Sequence, residues 1–164
     1  LWRGLIADVR DVYSGLVTYN CDKYQEDRVT WWDAVDVISS SGYYPSGTWP
    51  ENLERIHGVV ERERRPFCFL ETGCPSRLGA QVRPNDWNIP GPADEGSQAD
   101  YLDEMLGAVA AHPWVGGVML WDWPAVLYEP AEAPENRDYC MYGKRGEAVI
   151  SEHFARWRAP SGTD

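Results

Sequence analysis

With 164 residues and 43% hydrophobic content, the chain is long enough for one domain with its own core and too apolar for a disordered segment. Fifteen basic against 26 acidic residues give a net charge of −11, which argues against nucleic acid and anionic membrane surfaces as partners and favours a neutral polymer or small molecule. No apolar run reaches the ~20 residues of a membrane span, and no basic segment followed by an apolar one marks a signal peptide.

In chain order, Trp2 to Tyr13 has apolar residues at Leu5, Ile6, Val9, Val12 and Tyr13, a helical stripe that Gly15 stops. The start at Leu1 rather than Met points to a processed product, an engineered chain or a fragment. Leu16 to Asn20 reads as a first strand, and Asp22 to Thr30 as a charged loop. Trp31 and Trp32 open a short helical turn, after which Ala34 to Ile38 is a second strand and 39–47 its exit loop. Thr48 and Glu51 have capping-box spacing, ahead of a helical stripe of Leu53, Ile56, Val59 and Val60 that runs to about Arg64.

Pro66 starts a third strand that ends at Glu71. Residues 74–97 form a long loop rich in Pro and Gly, of the kind that is usually functional. Ser97 is placed to cap a helix running to Ala111, which His112-Pro113 ends. Val115 to Trp121 is a fourth strand, 124–142 a second long loop, and Glu147 to Trp157 a final helix. Strands separated by helical patterns predict a parallel α/β sheet, and four β/α units make half of a (β/α)8 barrel, here a single domain over 1–164. No Gly-rich phosphate fingerprint follows a strand.

Glu71 is the prime candidate for chemistry. In a (β/α) barrel the active site lies at the C-terminal ends of the strands, and a Glu delivered there is a nucleophile or a general acid/base. The competing reading is a carboxylate that caps a loop or pairs with an Arg. Tyr43 and Tyr44 close the second unit, where a hydroxyl could donate to Glu71, or the rings could pack the rim.

Trp121-Asp122-Trp123 ends the fourth strand, where indole rings could floor a sugar subsite. Asp122 reads as exposed or salt-bridged rather than as a second catalytic carboxylate. Asn20, ending the first strand, suits hydroxyl binding and turn formation equally. The nine Trp and nine Tyr fit a sugar cleft or a core filled with flat rings. His57, His112 and His153 are scattered, and Cys21, Cys68, Cys74 and Cys140 lack zinc spacing. Neither a metal nor a cofactor is expected. The thiols are expected to be free and buried, with a disulfide as the alternative.

The segments GLVTYN, WWDAVDVISSSGYYP, PFCFLETGCPS, SQADYL, WVGGVMLWDW and YGKRGEAVI, in that order, resemble the C-terminal half of a clan A glycoside hydrolase, with glycoside hydrolase family 113, the β-mannanases, as the match. The resemblance implies barrel strands five to eight, retaining hydrolysis of β-1,4-mannosidic bonds and no metal. It implies that Glu71 is the strand-seven nucleophile, that Tyr43 rather than Tyr44 is its hydrogen-bond partner, and that Trp121 lines the sugar subsite. The family's acid/base Glu lies at the end of strand four, ahead of Leu1 in the family's order.

That leaves the second carboxylate to a separate N-terminal half or to a second copy of the chain, paired about a two-fold axis. The competing reading is a carbohydrate-binding or self-associating half barrel without turnover, and a β-glucanase-like specificity is a third.

Overall fold

The computed structural model describes residues 1–158. Its elements are α1 (Trp2–Val12), β1 (Thr18–Cys21), β2 (Val37–Ser41), α2 (Trp49–Glu63), β3 (Phe67–Thr72), α3 (Glu95–Ala110), β4 (Val115–Leu120) and α4 (Arg145–Arg158). Among the described residues no helix is long and apolar enough to cross a membrane. The structure divides into two compact units. The first comprises 1–42, 50–72 and 114–119; the second comprises 43–49, 73–113 and the residues from Leu120 onward.

The first unit holds the sheet. Its strands lie in the order β1-β2-β3-β4, with β1–β2 and β2–β3 parallel. A strictly sequential parallel order is that of a barrel segment; a doubly wound sheet reverses its order at a switch point. Phe67 and Phe69 are fully buried, as are Ile38 of β2 and Leu53 and Ile56 of α2. Trp114 packs on Phe67 and stacks with His57, whose ring lies 5.0 Å away. Trp2 of α1, Tyr19 of β1, Trp31 and Trp32 form one aromatic cluster, and the Trp32 indole donates to the Glu26 carbonyl at 2.8 Å.

Strand β2 lies three residues further along than the sequence pattern indicates, taking in the three serines expected in its exit loop. Serine has poor strand propensity, but pairing on both sides decides the matter. The Ser39 hydroxyl donates to the Tyr19 carbonyl and shares a hydrogen bond with Thr18. Helix α2 ends at Glu63; the next residue, Arg64, has φ 53°, the left-handed conformation common just past a helix end, and Pro66 then prevents continuation.

The second unit is built on α3 and α4. Asp94, not Ser97, caps α3: its carboxylate accepts from the Gly96 and Ser97 amides, and the Ser97 hydroxyl donates to it at 2.6 Å. Those donors hold the Asp94 carboxyl below the usual carboxylate range, the Ser97 hydroxyl contributing most. Gly146 of α4 approaches Leu102 and Gln98 of α3 closely, and His153 bonds Asp103 at 2.7 Å. Tyr44, Trp49 and Tyr101 pack edge to face in the core of this unit. All four cysteines are free thiols.

Candidate functional site

In the first unit Glu71 is the penultimate residue of β3, and a β-bulge sets its direction. The β2–β3 register runs Ser39↔Cys68 and Ser40↔Phe69, then jumps to Ser41↔Glu71. Strict alternation would group Glu71 with the fully buried Phe67 and Phe69. The extra residue, Leu70, shifts the phase, so Thr72 takes the buried position and Glu71 joins the half-buried Cys68 and Leu70.

Two hydrogen bonds fix the bulge from β2's exit: the Gly42 amide donates to the Glu71 carbonyl at 2.7 Å, and the Thr72 hydroxyl donates to the Gly42 carbonyl at 2.7 Å. A Cβ at position 42 would lie 2.7 Å from the Phe69 ring, which is why a glycine stands there. Asn20 lies inside β1, exposed, and its amide donates to the Ser41 hydroxyl at 3.2 Å. Asn20, Ser41 and Glu71 thus form a polar row across three adjacent strands.

In the second unit Tyr43 is 6% exposed and stands edge-on to Tyr139 at 6.2 Å. Tyr44 has no exposed surface and packs on Trp49. Trp121 and Trp123 are 38% and 53% exposed, and a cis peptide joins Trp121 to Asp122. Gly73 abuts the turn: a Cβ there would lie 2.0 Å from the Trp121 carbonyl oxygen. Trp123 meets Tyr142 edge to face.

Asp122 is half-buried, with Asn136, Asp138 and Tyr128 around an open pocket of about 410 Å³. Burial, and then the Asp138 carboxylate, push its pKa up, against the pull of Lys144.

Two groups that the sequence pattern did not reveal organise this unit. Lys144 is 4% exposed and donates to the Ser76 hydroxyl (2.6 Å), the Asn136 side-chain carbonyl (2.7 Å) and the Asp138 carbonyl (3.2 Å). Burial pulls its pKa down to about 8, against the pull of nearby acidic groups. Gln98, fully buried on α3, donates to the Cys74 and Tyr139 carbonyls. Together they tie the loop that follows β3 to residues 136–139. A lysine in the turn before a helix and a glutamine in a helix's first turn look solvated in a sequence, so neither stood out.

The histidines are apart, and among the described residues no group of three or more His, Cys, Asp or Glu is arranged to hold a metal ion.

A family model described as Glycoside Hydrolase Family 113 matches residues 1–144. A solved GH113 β-1,4-mannanase superposes with a TM-score of 0.92 at 51% identity, covering 94% of this chain and 50% of that one. The GH113 β-mannanase AaManA from Alicyclobacillus acidocaldarius, solved in complex with ManMIm, superposes at 0.89 with 43% identity over the same shares. A Bifidobacterium dentium β-glucuronidase, 18% identical, gives 0.67 and shares the fold alone; 94% of this chain covers 26% of it. No curated protein matches the chain. The chain therefore spans about half the length of the mannanases it matches, and its four parallel strands are half of a TIM barrel.

Proposed function

The chain belongs to glycoside hydrolase family 113, and we propose that it is the nucleophile-bearing half of a retaining β-mannanase acting on β-1,4-linked mannan, with Glu71 as nucleophile. The observation that carries the reading is the match to family 113 over residues 1–144 together with Glu71 at the bulged end of β3.

Glu71 attacks the anomeric carbon while a second carboxylic acid protonates the departing glycosidic oxygen, giving a covalent glycosyl-enzyme. That second group, then a carboxylate, activates water to release the sugar. Retention requires the two carboxyls ~5–5.5 Å apart. In this reading the acid/base group is supplied by a complementary half barrel, or by a carboxyl of a second copy of the chain facing the first. Tyr43 takes the role that the family resemblance implies for it, a hydroxyl donor that keeps the nucleophile ionised and oriented. Trp121 and Trp123 supply stacking surface, their exposure supporting that role. Asn20 binds a sugar hydroxyl from the polar row.

The test is mannan hydrolysis by the chain assembled with its complement. Glu71→Gln, which preserves size, should reduce turnover by roughly 10⁴-fold or more, as expected for removing a covalent nucleophile. A variant that retains a tenth of the rate would overturn the assignment. The exposed indoles of Trp121 and Trp123 equally suit a second reading, a sugar-binding or self-associating half barrel without turnover. Mannan binding with no hydrolysis in any assembly would establish it.

A further inference from the structure

We propose that Trp87, in the loop after β3, forms with Trp121 a right-angled aromatic corner that grips one pyranose ring of the neutral β-linked substrate. The proposal rests on the family-113 reading for its ligand class and adds a residue to it.

Trp87 keeps 54% of its surface exposed, and Trp121 keeps 38%. Their ring centroids are 6.1 Å apart and their planes meet at 87°. Exposing two indoles side by side leaves a large apolar area open to a ligand.

The surroundings of Trp87 are built rather than loose. Its ring leans on Tyr139 at 4.5 Å, and Tyr139 is 1% exposed with its hydroxyl donating to the Pro84 carbonyl at 2.8 Å. On the other side Ile89 is buried and its carbonyl accepts from Arg77 at 2.8 Å. Between them the Asp86 carboxylate accepts the Asn88 amide. The loop is thus anchored on both sides of an exposed indole, a preorganised platform.

The chemistry of the corner selects its occupant. A pyranose presents an apolar C–H face that stacks on one indole, while its edge meets the second. Asp86, the charge next to Trp87, is paired with Arg83 at 3.3 Å, so these two neighbouring charges offset each other, which suits a neutral sugar. The row Tyr43–Tyr139–Trp87–Trp121 is continuous by ring contacts, so Trp87 links the tyrosine proposed to act on the nucleophile with the tryptophan proposed to stack the sugar.

The experiment is calorimetric titration of the chain with β-1,4-mannohexaose, comparing wild type, Trp87→Ala, Trp87→Phe, Trp121→Ala and the double alanine variant. Trp157→Ala, a similarly exposed indole on α4, serves as the control, and circular dichroism checks folding. We expect Trp87→Ala to weaken binding roughly 10-fold, Trp87→Phe to recover most of it, and the double variant to lose less than the product of the two single losses, because both rings hold the same sugar. Unchanged affinity in Trp87→Ala beside a loss in Trp121→Ala overturns the corner and leaves the function standing. A loss equal to that of Trp157→Ala, or wild-type affinity in both single variants, likewise overturns it. No mannohexaose binding by wild type sinks the ligand class and the corner with it.

Discussion

Lys144 shows how one residue can tie the environment of the proposed site to pH. Its ammonium is buried among three acceptors, and burial holds its pKa near 8. An unfolded lysine holds its proton to about 10.4. Between those values the unfolded chain binds a proton that the folded chain has shed, so this group makes stability rise with pH over that interval. Below about pH 8 both states are charged and the cost of burial is fully present. The difference in stability between wild type and Lys144→Met should therefore grow in favour of wild type from pH 8 to about 10, measured by urea unfolding; a difference flat in pH would contradict the account. The place of Glu71 near the end of β3 was legible from the sequence because a short apolar run ended on a carboxylate followed by Thr-Gly. Lys144, Gln98 and Trp87 were not, since their roles depend on partners such as Ser76, 68 positions from Lys144, and Cys74, 24 from Gln98, or on exposure, which no local pattern encodes.

At the scale of elements, the strand–turn junctions carry the precision. The bulge at Leu70 rotates Glu71 out of the buried face, and the close approach of Gly73 to the Trp121 carbonyl joins the turns that follow β3 and β4. Gly73→Ala places a methyl group 2.0 Å from that carbonyl oxygen, so backbone must move. Overpacking of this kind costs ~1–3 kcal/mol, read as a lowered urea midpoint, with the Trp121 indole signal displaced in NMR spectra; an unchanged midpoint would show that the junction is looser than described. The helices and β1, β3 and β4 were readable from periodicity to within a few residues. Strand β2 was displaced because its serines are paired on both sides, and the cap of α3 was misassigned by three residues because Asp94 lay in what read as loop. No local rule marks a bulge, so the direction of Glu71 was decided by tertiary pairing.

At the scale of the whole molecule, β1 and β4 are the outer strands of the sheet, with exposed residues along both. Leu5, Val12 and Leu16 around α1 and Met119 of β4 are at least half exposed. Open parallel edges and uncovered apolar surface favour association. The purified chain should accordingly form dimers or larger species at micromolar concentration by light scattering; a monodisperse monomer would remove the second copy as the source of the missing carboxylate and leave the complementary half.

The central claim, that Glu71 is the nucleophile of a mannanase active site completed from outside this chain, is tested most directly by a chimera. Fusing the chain to the half of the 51%-identical mannanase that it does not span restores a full barrel. The account predicts hydrolysis of β-1,4-mannan by this chimera and its loss on Glu71→Gln. Hydrolysis that persists with Glu71→Gln would contradict it.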